Sequence, residues 1–162
     1  MAVLTKDIML RGIRREEVFD WLGSTDNQRR ILEGAFDGFK ELGPGHYELT
    51  LKTPIKTRVM TYKFVSLDDS HAGRRVVCET TGKRFAGQYH YSLRTLKPST
   101  NTLVTLHMDF DPGGPGPLGD VIFDKLVRPQ LEAACGKVLE NLSEKIPRTV
   151  GSGAGGGAKD ED

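Results

Sequence analysis

Cysteine is scarce in this sequence. Only Cys78 and Cys135 occur among 162 residues, and they are far apart. This spacing is not the Cys-x-x-Cys pair of a zinc knuckle or redox centre, and two distant thiols suit a reducing compartment. We therefore interpret both cysteines as small buried apolar side chains and predict neither a metal nor a cofactor.

Long apolar runs are also missing. No stretch approaches the roughly 20 residues that a helix needs to cross a bilayer. Lys6 and Asp7 interrupt the first ten residues, which lack the apolar segment and cleavage site of a signal peptide. We expect no membrane span, no export signal and a cytoplasmic location.

Charge of one sign is not in excess either. The 23 basic residues are scattered and nearly matched by 22 acidic ones, so no broad positive field favours nucleic acid. With 37% hydrophobic and 28% charged residues, the chain has the composition of one compact domain. Nothing in the sequence indicates an oligomeric state.

The hydrophobic pattern changes period along the chain. Residues 3–10 alternate as a strand, and residues 14–22 and 27–32 have helical spacing. Residues 35–112 then read as strands separated by Gly, Pro and Asp turns, which gives about seven strands in all. Apolar and polar residues alternate within these strands, which predicts a sheet with one buried and one solvated face.

One long amphipathic segment, residues 118–146, can cover the buried face of that sheet. Pro129 lies inside it, and because proline lacks an N–H we expect a kink near residues 127–128. The remaining residues, 148–162, are rich in glycine and end in acidic residues, so they should be disordered. The predicted organisation is a folded domain at 1–147 with a tail at 148–162.

Three segments carry a resemblance to a known superfamily: EVFDWL at 17–22, GQYHYSL at 87–93 and RPQLE at 128–132. With the order of elements, they make the chain similar to the START-like (SRPBCC) superfamily, which includes polyketide cyclase/dehydrase-like and Bet v 1-like proteins. The resemblance implies an α+β helix-grip fold, in which a curved seven-stranded antiparallel sheet wraps a long C-terminal helix. It further implies a cavity between sheet and helix that receives lipids, quinones or polyketides.

Strand parity predicts which strand residues would line such a cavity, and Phe123 and Val127 could approach it from the C-terminal helix. Arg58, at one end of the series, is a possible anchor for a ligand carboxylate or phosphate, although a surface arginine would read the same way. An ordinary filled core would also use the same apolar residues. The candidate ligand-binding residues are Arg58, Met60, Tyr62, Cys78, Tyr89, Tyr91, Leu106, Met108, Phe110, Phe123 and Val127.

No catalytic or metal motif is found. The glycine-rich letters at 151–156 follow no strand, so they are not a dinucleotide-binding loop. His107, Asp109 and Asp111 share one strand face, where they do not readily converge on one ion. Their expected place is the solvated side of the sheet.

Three functions remain open. The first is a carrier for an apolar or amphipathic small molecule, which requires a cavity. The second is a polyketide aromatase/cyclase-type enzyme, which also requires a buried acid-base group. The third is a protein-interaction module, which predicts a filled core and an exposed apolar patch.

Overall fold

A computed structural model describes residues 2–54, 57–68, 74–81, 86–97, 100–111, 121 and 123–148. The described elements follow the order strand, two short helices, six strands and a C-terminal helix. Their bounds are β1 Ala2–Leu10, α1 Arg15–Leu22, α2 Thr25–Leu32, β2 Gly38–Gly43, β3 His46–Lys52, β4 Thr57–Asp68, β5 Arg74–Thr81, β6 Ala86–Leu96, β7 Asn101–Asp111, a π turn at Phe123–Val127 and α3 Arg128–Lys145.

The strands form one antiparallel sheet with the order β1-β7-β6-β5-β4-β3-β2. Strands β2 to β7 pair with their neighbours in sequence, whereas β1 pairs with β7, the last strand along the chain. The inner face is apolar and buried, as the alternation of Tyr47, Leu49 and Leu51 with half-buried or exposed polar residues on β3 illustrates. The predicted α+β class, antiparallel sheet and C-terminal helix are confirmed.

Helices α1 and α2 are short and lie over the sheet. Helix α2 begins at Thr25, two residues before its predicted start, because the Ser24 side chain caps it by accepting a 3.3 Å hydrogen bond from the Asn27 N–H. Asp26 in the first turn pairs with Arg29 and Arg30. The hydrogen bond from Arg29 lowers the pKa of the Asp26 carboxyl.

The C-terminal helix carries an irregularity where the kink was predicted. Val121 is helical, a π-helical segment spans Phe123–Val127, and α3 continues from Arg128, so the α-helical pattern is interrupted near residues 127–128. Pro129 lies in the first turn of α3, directly after this π-helical segment, and prolines and π-bulges are both known causes of helix kinks. The interruption therefore agrees with the expected place of the kink; residues 118–120 and 122 lie outside the described residues.

At the other end of α3, Arg148 folds back onto the helix. Its guanidinium donates to the backbone and side-chain oxygens of Ser143, at 2.9 and 3.2 Å, and burial lowers its pKa. The predicted tail thus starts with an ordered side chain. The rest of that tail, 149–162, lies outside the described residues.

One apolar core joins the inner face of the sheet to all three helices. Helix α3 contributes a stripe of buried side chains, including Leu131, Val138 and Leu142, and Asn141 donates to the Ile31 carbonyl of α2 at 3.1 Å. In the part of the chain that the structure describes, no helix has the length and apolarity to span a membrane.

Candidate functional site

The inner face of β4, β6 and β7 brings together most of the predicted site residues. Tyr89 is paired with Met108, and Tyr91 with Leu106, in the β6–β7 register. None of the described apolar members is more than 2% exposed: Met60, Tyr62, Tyr89, Tyr91, Leu106, Met108 and Val127. Strand parity thus placed the strand residues of this set on one face, and Val127 is buried with them from the helical side.

The other predicted residues are placed less completely. Arg58 is half-buried and lies opposite Leu51, a buried residue of the inner face, near the first residue of β4. By register, Cys78 pairs with Tyr89 and Phe110 pairs with Gly87, while Phe123 opens the π turn. For Cys78, Phe110 and Phe123 the structure describes the backbone only and not the side chains.

All four tyrosines of the chain, Tyr47, Tyr62, Tyr89 and Tyr91, are fully buried on this inner face. We call them the tyrosine cluster. Their rings form a continuous series, with centroids 6.2 Å apart for Tyr47–Tyr62, 4.9 Å for Tyr62–Tyr89 and 5.5 Å for Tyr89–Tyr91. The last two contacts are edge-to-face, the arrangement that aromatic rings prefer.

Two hydroxyls of the tyrosine cluster bind helix α2. The Tyr62 hydroxyl donates to Oε1 of Gln28 at 2.7 Å, and Nε2 of Gln28 donates to the Leu22 carbonyl at 2.7 Å. The Tyr47 hydroxyl donates to the Thr25 carbonyl at 2.6 Å. Burial raises the pKa of Tyr47, so its phenol stays protonated and acts as a donor.

The other two hydroxyls face each other. The Tyr91 and Tyr89 oxygens are 3.4 Å apart, which is longer than the usual 2.5–3.0 Å of an O–H···O hydrogen bond. Four hydroxyls and one amide therefore lie in an otherwise apolar buried interior between the sheet and the helices, which we call the chamber. Such a composition suits a molecule that is mostly apolar with a few polar groups.

The described side chains of this chamber are closed off by protein. Because their exposed fractions lie between 0 and 2%, they pack against one another, as the filled-core alternative predicted. An open groove of about 400 Å³ does lie outside the chamber, lined by Arg30, Glu33 and Lys145. Its lining is charged, so it does not match the apolar cavity that the sequence predicted.

Comparison with known proteins identifies the fold. No protein-family model and no curated protein match the sequence. Among solved structures, the KanY protein has a TM-score of 0.62 at 16% identity and aligns over 90% of this chain and 97% of its own. The fold is of the START/Bet v 1 type.

Two further structures share this START/Bet v 1-type fold. Norcoclaurine synthase from Thalictrum flavum has a TM-score of 0.55 at 14% identity, over 88% of this chain and 84% of its own. The Aha1 dimer from Colwellia psychrerythraea has a TM-score of 0.53 at 12% identity, over 90% and 96%. At these identities the likeness concerns the fold alone.

Sequence reasoning missed Gln28, the buried partner of Tyr62. Gln28 precedes Ile31 and Leu32 by three and four residues, so all three lie on one face of α2, and all three are buried. The sequence did show a polar residue on the same helix face as two apolar ones, which indicates a buried polar side chain. It could not show the partner of that side chain, because Tyr62 is 34 residues away in sequence.

The outer face of the sheet carries polar residues together with exposed apolar ones such as Val3 and Val59. His107 and Asp109 lie on this face, as predicted, and His90 of β6 lies directly opposite His107 of β7. No group of three or more His, Cys, Asp or Glu side chains suited to a metal occurs among the residues with described positions. The outer face therefore carries a histidine pair that the sequence order alone did not show.

Proposed function

We propose that this protein binds an apolar or amphipathic small molecule, of the lipid, quinone or polyketide type, between the inner face of the sheet and α3. One observation carries the proposal: all four tyrosines are buried on that face. Phenylalanine would fill a core equally well without a hydroxyl that must be paired. The tyrosine cluster instead supplies an apolar wall with directional polar groups.

The proposed binding unit is the domain 1–147, and its ligand contacts are the predicted site residues together with Tyr47 and Gln28. Arg58 is the proposed anchor for an anionic ligand group, because it is half-buried on the inner-face side of β4. The fold also resembles that of norcoclaurine synthase, whose name is that of an enzyme making a small molecule, and this supports a small-molecule site here.

Since the described wall is closed, a ligand must displace a covering element to enter. We assign this movement to the π turn Phe123–Val127, which contributes buried Val127 to the wall while its Asp124 and Lys125 are exposed. A π turn is a local irregularity that often occurs at functional sites. In this proposal, displacement of the segment uncovers the wall beside Val127.

The experiment is native mass spectrometry of freshly purified protein, then organic extraction and identification of any bound compound, with an environment-sensitive apolar dye as the second probe. We expect a copurified apolar molecule, or dye binding that Met108→Lys abolishes because it places a charge in the chamber. Asp109→Lys, one residue along β7 on the exposed face, is the matched control and should bind normally. A wild-type protein that carries no compound and binds no dye contradicts the proposal.

An aromatase/cyclase-type enzyme is the second candidate, favoured by the buried phenols. The hydrogen bond of Tyr62 argues against the enzyme. The Tyr62 hydroxyl proton is already donated to Gln28, and it must leave that hydrogen bond before it can be transferred to a substrate. Incubating the extracted compound with the protein separates the two functions. A new product, or loss of water from the compound, supports the enzyme; unchanged compound supports the carrier.

A protein-interaction module is the third candidate, and the close packing of the described wall favours it. The exposed large apolar side chains lie on several elements, with Val3 and Met9 on β1 and Val59 on β4. The dye experiment decides here as well, since a module with a permanently filled core should not bind the dye.

A further inference from the structure

The histidine pair His90 and His107 on the outer face has a close and specific geometry. The two imidazole rings are stacked, with centroids 4.7 Å apart and planes inclined by 20°. Both residues are half-buried in the middle of adjacent strands. Two of the chain's four histidines therefore share one partly desolvated place on the sheet.

This geometry suits proton binding better than metal binding. Nearly parallel rings direct their nitrogen lone pairs side by side, whereas a metal needs lone pairs that converge on one point. Two protonated imidazoles at this distance would repel each other, because like charges in a partly buried place are poorly screened. The first proton is tolerated and the second is opposed.

The positions next to the histidine pair on the outer face are uncharged, and three acidic residues and one basic residue lie one row further away. By register, Thr5 of β1 lies opposite His107 and Val77 of β5 lies opposite His90, so neither direct neighbour is charged. Charged residues occur one row further away. They are Asp109 on β7, Asp7 on β1, and Glu79 and Arg75 on β5. Glu79 pairs with Gln88 of β6, and Arg75 pairs with Ser92 of β6.

The pair lies directly behind the tyrosine cluster. His90 stands between Tyr89 and Tyr91 along β6, and His107 stands between Leu106 and Met108 along β7. These four inner-face residues pair with each other across the same two strands. A force that separates β6 from β7 at the histidines therefore acts on the centre of the proposed ligand chamber.

We propose that His90 and His107 form a proton-sensitive switch that loosens β6–β7 pairing when both rings are protonated and so lowers ligand affinity in acid. Free histidine in an unfolded chain takes up its proton near pH 6.5. The unfolded state therefore binds more protons than the native pair below that pH, and stability falls as the pH decreases. The effect on the ligand rests on the proposed function, whereas the effect on stability does not.

The first test measures unfolding of the full apo protein in urea at about pH 7.5 and about pH 5. We expect the wild type to lose stability on acidification, and His90→Gln and His107→Gln to lose clearly less. His46→Gln is the control, because His46 lies on a different strand, opposite Lys63, and it should behave as the wild type. Single variants with the same pH dependence as the wild type overturn the switch.

Imidazole NMR titration gives a second readout that does not depend on how far each variant is destabilised. The wild type should take up its two protons in separate steps, and each single variant should titrate in one step between them. Two superimposed single-step titrations in the wild type contradict the proposal.

Dye affinity at the same two pH values tests the coupling. We expect about a 10-fold loss in the wild type on acidification and about 2-fold or less in either variant. A dye that binds at neither pH contradicts the proposed function while the stability and NMR results still decide the switch. A dye whose affinity changes equally in all proteins overturns the coupling.

Discussion

Tyr62 of β4 donates its hydroxyl proton to Gln28 of α2 over 2.7 Å, and both side chains are fully buried. The Leu22 carbonyl holds the Gln28 amide in the orientation that presents Oε1 to Tyr62. Helix α2 has eight residues, too few to be stable alone in water. This bond, the Tyr47 hydroxyl bond to the Thr25 carbonyl and the burial of Ile31 and Leu32 together attach the helix to the sheet.

Tyr62→Phe should lower the free energy of unfolding by about 1–3 kcal/mol, because Oε1 of Gln28 loses this buried hydrogen bond. Urea unfolding measures the change. The double variant Tyr62→Phe/Gln28→Leu tests whether the two side chains act together. Its loss of unfolding free energy should differ from the sum of the losses in Tyr62→Phe and Gln28→Leu. Strictly additive losses would show that the two side chains act separately.

Ser24→Ala should cost about 1 kcal/mol, because the Asn27 N–H at the start of α2 loses its side-chain acceptor. Ser24→Asp keeps an oxygen at the same position and should retain most of the stability. Thermal and urea unfolding of the two variants give the comparison. An Asp variant as unstable as the Ala variant would mean that the cap is unimportant.

Pro129→Ala tests whether Pro129 acts as a residue of the first turn of α3 or as a proline inside a longer helix that includes the π-helical segment before it. A proline in the middle of a helix costs about 3 kcal/mol relative to alanine, so its removal from a kink should stabilise the protein strongly. In the first turn the proline is well tolerated, and we expect a change within about 1 kcal/mol. A gain near the larger value in urea unfolding would favour the kinked helix.

Cys135 should be chemically inert in the folded protein, because burial raises the pKa of its thiol to about 12. In a Cys78→Ser background it is the only thiol, and iodoacetamide should label it in urea but not in buffer. Labelling at equal rates in both conditions would contradict its burial.

The same pKa predicts a loss of stability in alkali. The thiol ionises near pH 9.0 in the unfolded chain but keeps its proton to about pH 12 in the folded protein. Between these values the unfolded state is favoured by ionisation, so the free energy of unfolding decreases as the pH rises. Unfolding of the wild type should therefore depend more steeply on pH there than unfolding of Cys135→Ala. Parallel curves would show that the thiol does not contribute.

Local patterns predicted the elements well, and the errors lie where two parts of the chain meet. Alternation placed Tyr89, Tyr91, Leu106 and Met108 on one face, because the side-chain period of a strand is fixed by backbone geometry. Pro129 correctly predicted an interruption near residues 127–128, but its form, a π-helical segment at Phe123–Val127, depends on how the residues before Pro129 pack.

The sequence by itself determined the α+β class, the antiparallel strands with one buried face and the covering C-terminal helix, since periodicity and turn residues act over a few positions. Only the tertiary structure decided that Gln28 meets Tyr62, that His90 stacks on His107 and that the described chamber wall is closed. Those contacts join residues from different elements. Their distances follow from strand register and side-chain packing, which a linear pattern of residue types does not specify.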